Sequence, residues 1–166
     1  RIVSLVPSIT ELLFDLELGA QVVGRTGFCI HPRERLRDVP KVGGTKDVDL
    51  DRLRALAPTH VIVNIDENRR EQVAAMREFV PHVVVTHPNA PEDNAALFRL
   101  IGGLFDRAPA AEALCAALDV ELAQCAPLRA QLPAERVLYL CWREPWMSVA
   151  SDTYIARTLA AVGWQV

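Results

Sequence analysis

The chain has 166 residues, of which about half are apolar and about a quarter are charged, and its formal net charge is −3. This is ordinary globular composition, and so slight a charge argues against nucleic acid or an acidic membrane surface as the partner. No uninterrupted apolar run reaches the ~18 residues that a membrane span needs. The first residue is Arg1 rather than Met and leads directly into a strand-like run, so we expect that an upstream segment has been removed.

The N-terminal half of the chain alternates between strand and helix patterns. Near-continuous apolar runs, typical of strands buried on both faces, are separated by segments with a helical period. Ser8 and Glu11 have the form of a capping box, Gly19 is a typical residue at a helix end, and Asp49 is a predicted helix cap. The alternation predicts a mostly parallel sheet covered by helices. The predicted strands are 2–6, 21–25, 60–65 and 82–86, and the predicted helices are 8–18, 49–57 and 67–79.

The middle of the chain, from Pro91 to about Ala126, contains no strand pattern. Two helical stretches are predicted here, the first starting within residues 89–92 and the second at Ala108. Pro127 is expected to kink or end the second helix, because proline has no N–H to donate inside a helix.

Strand patterns return near the end of the chain. A strand is predicted at 136–141, followed by a Trp- and Pro-rich loop at 142–147 and a helix at 151–163. Residues 164–166 resemble the start of another strand, so the chain is expected to be incomplete. The sequence therefore predicts an α/β fold in three parts: a parallel-sheet N-terminal lobe at 1–88, a helical linker with a long helix at 89–132, and the beginning of a second α/β lobe at 133–166.

Four stretches, in this order and spacing, resemble the helical-backbone class (class III) of periplasmic binding proteins, which serve ABC importers of cobalamin, ferric siderophores and haem. They are RIVSLVPSITE at 1–11, VVGRT at 22–26, VGGT at 42–45 with DLDRLRALAPTHVIV at 49–63, and DENRRE at 66–71. The first is similar to the family's opening strand and its Pro-Ser turn, and the last to an E-E-N-x-x-E segment of a cobalamin-transport-like subgroup. The resemblance is close over residues 1–86 and thinner after Leu140.

The resemblance implies a function and a location. It implies a monomeric periplasmic protein, or one lipid-anchored to the outer face of the membrane, whose N-terminal signal has been removed. Its expected partners are a small-molecule metal complex and the membrane permease of an ABC importer, with no nucleic acid and no catalytic cofactor. The implied ligand is cobalamin or a related metal-centred compound, held in a cleft between two lobes. The alternative is a ferric chelate (a ferric siderophore) or haem in a protein of the same class.

The carboxyl ends of the predicted strands select candidate ligand-binding residues, because ligands of open parallel sheets bind beyond those ends. Pro7 and Ser8 follow the first strand, and Asn64 lies at the end of the third. Gly44 and Thr45 belong to a turn where a glycine lets the backbone approach a bulky ligand. For each position a purely structural role, as a cap or a turn, is the competing interpretation.

The loop at 27–32 carries Cys29 and His31, the most reactive side chains near these positions. No second Cys/His pair has the spacing that completes a metal site, so we expect no bound free zinc. The resemblance implies that this loop lines the cleft, so we predict ligand contact by Cys29 and His31. Cys115 and Cys125, ten residues apart in a helical segment, are expected to be buried thiols.

Trp142 and Trp146 lie within one short loop and are hard to explain as solvated surface. They either cap a core or place flat indoles against a corrin or porphyrin-like face, with Arg143 at its polar rim. Glu67 and Glu71 open an exposed helix, where acidic residues are favourable in any case. The resemblance implies that an acidic residue near this point docks onto permease arginines, and the sequence does not choose between the two.

The ligand and the class of protein each keep an alternative. The Asp-Glu-Asn segment favours cobalamin, whereas Arg25, His31 and Arg143 suit an anionic ferric chelate. A small α/β thiol enzyme would use Cys29 with His31, but residues two apart on an extended segment point in opposite directions. The sequence contains no nucleophile elbow, no phosphate-binding glycine loop and no paired carboxylates at a predicted cleft position. A structural interaction module would leave the two tryptophans unexplained.

Overall fold

The computed structural model describes all residues from 1 to 166, which divide into two compact units. Unit 1 contains residues 1–87 and 105–110, and unit 2 contains residues 88–104 and 111–166. The predicted separation of residues 89–132 as a linker stays a prediction. None of the helices combines the length and the hydrophobicity required to cross a membrane.

A four-stranded sheet forms the centre of unit 1. Its strands pair in parallel in the order β2-β1-β3-β4, so the predicted parallel sheet is confirmed. Val61, Ile62 and Val63 on a central strand are buried, as expected for a strand covered on both faces. The strands are β1 (Ile2–Ser4), β2 (Val22–Arg25), β3 (His60–Asn64) and β4 (His82–Thr86).

Three helices of unit 1 are α1 (Pro7–Asp15), α2 (Leu50–Ala55) and α3 (Arg70–Met76). The predicted cap of α2 is confirmed, because the Asp49 carboxylate accepts a hydrogen bond from the Arg52 amide at 3.0 Å. Leu53 of α2 and Met76 of α3 are fully buried in the core cluster, together with Val3, Leu5, Val42, Val48, Val61, Val63 and Val80.

Both predicted ends of α1 are wrong. The helix begins at Pro7, with Val6 as its N-cap and no side-chain capping bond, so Ser8 and Glu11 form no capping box. Proline suits the first helical position because its fixed φ is already helical and its missing N–H would have had no partner there. At the other end, Glu17 rather than Gly19 takes the left-handed conformation, with φ 60°. A Cβ at Gly19 would lie 2.5 Å from the Phe14 ring, so close packing requires the glycine.

Unit 2 consists of helices and two small strand pairs. A two-pronged ion pair between Arg99 and Glu112, with N–O distances of 2.7 and 2.9 Å, joins its two long helices. The second helix does not end at Pro127 but continues to Gln131, and a kink at Pro127, the other predicted effect, stays a prediction. The helices are α4 (Asp93–Leu104), α5 (Ala108–Gln131, whose first turn belongs to unit 1) and α6 (Tyr154–Ala161).

The single strand predicted at 136–141 is two short strands with different partners. β5 (Glu135–Arg136) pairs in parallel with β8 (Trp164–Gln165), so the predicted strand at 164–166 is confirmed. β6 (Leu140–Trp142) pairs antiparallel with β7 (Met147–Ser148). The predicted Trp- and Pro-rich loop is therefore the turn of a hairpin.

Candidate functional site

The carboxyl ends of β1, β2 and β3 lie along one edge of the sheet of unit 1, because all three strands run in parallel. The segments that follow them contain most of the residues predicted to bind ligand. We refer to this region as the carboxyl edge. The half-buried Pro7 and the exposed Ser8 are the first residues of α1 there, and no side chain caps that end of the helix. The peptide N–H groups of its first turn therefore have no side-chain acceptor of their own.

Asn68 joins three of these segments. Its side-chain oxygen accepts from the Asn64 amide at 2.9 Å, and its side-chain nitrogen donates to Thr45 O at 2.9 Å and to Leu5 O at 3.4 Å. The side chain is only 6% exposed. Asn68 was not among the predicted site residues, although it lies in the Asp-Glu-Asn segment that carries the resemblance. An asparagine suits this position because it donates and accepts from one side chain.

The loop after β2 buries one of its two predicted site residues and exposes the other. Cys29 is fully buried, with its sulfur 3.2 Å from Thr26 Oγ1 and 3.9 Å from Ser4 O. Its side chain therefore faces the interior in this structure, and ligand contact at Cys29 stays a prediction. His31, two residues later, is exposed.

Three large apolar side chains stand exposed on the carboxyl edge: Phe28 at 64%, Ile30 at 59% and Ile65 at 58%. Phe28 lies beside the turn of Gly44, where a built Cβ would meet its ring at 3.5 Å. None of the three was among the predicted site residues. The available signal was the presence of bulky apolar residues in otherwise polar loops. Exposed side chains of this size along one edge of a sheet are a common mark of a binding surface.

The remaining predicted residues of unit 1 are partly engaged within the protein. Thr45 is buried, and its carbonyl is held by Asn68. The Asn64 side chain accepts from the Asp66 amide at 2.8 Å in a local turn. Gly44 is half-buried in the turn that its amide closes onto Asp47 O at 2.9 Å. At Gly44, Thr45 and Asn64, backbone groups and side chains are thus already hydrogen-bonded within the protein.

Glu67 and Glu71 differ in their surroundings. The predicted helix starting at Glu67 begins instead at Arg70, so Glu67 lies in the preceding turn and is half-buried. Glu71 is exposed in the first turn of α3.

The hairpin of unit 2 presents both tryptophans to solvent. Trp142 and Trp146 are each 64% exposed, so they do not cap a core within this unit. The Arg143 guanidinium lies over the Trp146 ring at 5.8 Å from its centroid and 3.5 Å from a Glu144 carboxylate oxygen. Arg143 and Trp146 therefore lie side by side, and all three predicted residues of this loop are exposed.

The four cysteines form no disulfide bond. All four are free, with Cys29 and Cys115 buried, Cys125 half-buried and Cys141 exposed. Burial raises the pKa of the Cys115 thiol. No group of three or more His, Cys, Asp or Glu side chains converges where it would hold a metal ion.

Comparison with known proteins gives a consistent result. The sequence pattern of a family described as periplasmic binding protein matches residues 2–165. Among solved structures, the chain is similar to the periplasmic heme-binding protein RhuT from Roseiflexus sp. RS-1 in apo form. The identity is 27% and the TM-score 0.85, and the match covers 100% of this chain and 65% of that one. No match was found among curated proteins.

Two further structures share the fold. One is the periplasmic vitamin B12 binding protein BtuF of Vibrio cholerae, with 16% identity, a TM-score of 0.88 and coverage of 99% of this chain and 64% of that one. The other is a periplasmic heme binding protein from Pseudomonas aeruginosa, with 20% identity, a TM-score of 0.89 and coverage of 99% and 61%. The chain thus spans less than two thirds of the length of these proteins. Because the family pattern extends over residues 2–165, the protein belongs to the periplasmic binding protein family, in class III.

Proposed function

We propose that the chain is part of the solute-binding component of an ABC importer and that it binds cobalamin or a related metal-centred macrocycle. The observation that carries this proposal is the set of exposed apolar side chains Phe28, Ile30 and Ile65 on the carboxyl edge of unit 1. The same proposal includes a periplasmic or lipid-anchored location, a monomeric state and the absence of enzymatic activity.

The physical argument for a macrocycle is the match between a broad apolar ring face and an apolar protein surface. Burying apolar surface stabilises a complex by about 25 cal/mol per Å² removed from water. Phe28 adds an aromatic face, which prefers offset stacking or edge contact with another π-system. The uncapped first turn of α1, beginning at Pro7 and Ser8, offers N–H groups to polar substituents at the rim of the ring.

The hairpin of unit 2 supports the same ligand class independently. Trp142 and Trp146 are flat, exposed and close to the cationic Arg143. We propose that the indoles contact a macrocycle face while Arg143 pairs with an anionic or amide group. The Trp146→Ala substitution is then expected to weaken binding by about 1–3 kcal/mol, as for a central aromatic contact.

Haem is the second candidate ligand. It is favoured by the similarity to RhuT, a heme-binding protein with 27% identity to this chain. A ferric siderophore is the third arm of the test, because Arg143 and the exposed His31 suit an anionic ferric chelate.

The test is a titration of the chain with cobalamin, haem and a ferric siderophore, followed by tryptophan fluorescence and by calorimetry. Cobalamin absorbs at indole emission wavelengths, so binding beside the tryptophans should quench their fluorescence. The Phe28→Ala and Ile65→Ala variants should weaken binding. The control is Val120→Ala, which removes a side chain of similar exposure (59%) from α5.

The outcomes separate the ligand from the class of protein. Heat and quenching with haem or the siderophore, but not with cobalamin, would keep the binding function and change the ligand. Absence of heat and of quenching with all three ligands would contradict the macrocycle surface. So would an equal loss of affinity in Val120→Ala and Phe28→Ala. Turnover of an ester or thioester that depended on Cys29 would support an enzyme instead.

Docking to a permease is proposed for the acidic residues near α3. Glu71 is the stronger candidate because it is exposed, whereas Glu67 is half-buried. The Glu71→Arg variant should lower ligand-stimulated ATP hydrolysis by the reconstituted importer and leave ligand affinity in solution unchanged. The same change at the exposed Glu78, on the last turn after α3, is the control.

A further inference from the structure

A cavity of about 880 Å³ lies beside the edge strand β2 of unit 1. It is open to solvent on one side and is lined by the end of β2, the loop that follows, and the segment leading to Lys41. Within that segment the Leu36 amide donates to Pro32 O at 3.1 Å, which forms a helical turn. Residues 33 and 37, four apart on this turn, both face the cavity.

The cavity walls are basic in a chain whose net charge is −3. Arg25, Arg33, Arg37 and Lys41 line it, with Glu34 as the one carboxylate. None of these five side chains forms an ion pair within the structure. Unpaired cations around one concave surface attract anions more strongly than the same charges spread over a convex surface.

Arg25 is the unusual member of this group. It is 7% exposed, and no carboxylate is paired with it. Its guanidinium donates to the carbonyl oxygens of Cys29 at 3.0 Å, Leu36 at 3.1 Å and Thr26 at 3.3 Å. Its Nε is buried and has no hydrogen-bond partner. Buried guanidinium groups are normally paired with an anion, so this one lacks a counter-charge.

We propose that this cavity binds a small oxyanion ligand of the carboxylate or phosphate class. Arg33 and Arg37 contact its oxygens directly, since arginine forks match carboxylate and phosphate geometry. Arg25 supplies a buried charge, and the exposed Lys41 and His31 add further donors. A volume of this size lies within the usual range for small-molecule sites. Ile30 and His31, which belong to the surface proposed for the metal-centred ligand, also line this cavity, whereas Arg33 and Arg37 are not part of that surface.

The experiment is isothermal titration of the full chain with citrate and, separately, with inorganic phosphate at low ionic strength, against sodium chloride of matched ionic strength. We expect saturable one-site binding of at least one anion and none of chloride. Arg33→Gln and Arg37→Gln should each raise Kd by roughly tenfold or more, as for loss of a charge-assisted hydrogen bond.

The matched control is Arg35→Gln. Arg35 belongs to the same turn but does not line the cavity, and its guanidinium lies over the Phe14 ring at 4.5 Å. This variant removes the same charge and should leave Kd within about twofold if the effect is local. Binding of citrate alone would identify a carboxylate ligand, and binding of phosphate alone a phosphate ligand. The proposal is overturned if neither anion binds, or if Arg35→Gln weakens binding as much as Arg37→Gln.

Discussion

Replacing Asn68 by Ala tests whether one buried amide holds the carboxyl edge together. The change removes two hydrogen bonds of 2.9 Å, to Thr45 O and from the Asn64 amide, and a weaker one of 3.4 Å to Leu5 O. Leaving buried partners unsatisfied costs about 1–3 kcal/mol for each group that water cannot reach. The bond to Leu5 O is long, and water can enter part of the space that the side chain leaves, so the full cost is not reached. We expect the free energy of unfolding to fall by about 2–4 kcal/mol.

The measurement is urea denaturation followed by circular dichroism, with linear extrapolation to water. The Asn68→Asp variant should not rescue stability, because a carboxylate keeps the bond from the Asn64 amide but faces two carbonyl oxygens without a donor. The loops joined by Asn68 should also loosen, so affinity for the macrocycle should fall with stability.

The control is Asn64→Ala, which removes a single side-chain bond to the Asp66 amide in a local turn. This variant should lose no more than about 1 kcal/mol. A loss for Asn68→Ala equal to that of the control would refute the reasoning, because the three contacts would then carry no more energy than one solvated turn.

Three further predictions concern other parts of the chain. A thiol reagent should modify the exposed Cys141 in the native protein and reach the buried Cys29 only on unfolding. The measurement is the time course of absorbance from the coloured thiolate that the reagent releases. Burial, and then the stacked His82, lower the pKa of His60 below its ordinary value of 6.5, so the unfolded state binds the proton more readily. The free energy of unfolding should therefore decline as pH falls below about 6.5, and the decline should be shallower in His60→Gln. Equal dependence of stability on pH in the two proteins would disprove this. Gly43→Ala should lower the free energy of unfolding by about 1–3 kcal/mol, because φ is +103° and the new Cβ would lie 2.4 Å from a backbone oxygen. The control is Gly103→Ala in α4, where a Cβ meets nothing within 4 Å, so thermal melts should show a neutral or stabilising effect.

Several features of the site were predictable because they depend on short stretches of chain. The apolar runs at 60–65 and 82–86 place strands, and the order of strands and helices places their carboxyl ends together. Asp49 caps its helix through a bond to a residue three positions later, so its role is visible locally. The start of α1 is also local: the pattern of Ser8 and Glu11 predicts a capping box, but Pro7 is itself suited to the first helical position.

Other features depend on residues far apart in sequence. Whether Phe28 or Cys29 points outward is decided by how the loop packs on Ser4, which is 25 residues from Cys29. Two of the three partners of Asn68 lie 23 and 63 residues away, so no local pattern distinguishes it from a solvated asparagine.

The sequence by itself determined the parallel α/β architecture of unit 1 and the family, because hydrophobic period and ordered motifs are properties of contiguous segments. Only the tertiary structure decided which side chains of the loops face solvent. It also buried Arg25 without a carboxylate partner beside a basic cavity. Burial and pairing are set by contacts between distant segments, and those contacts exist only once the chain has folded.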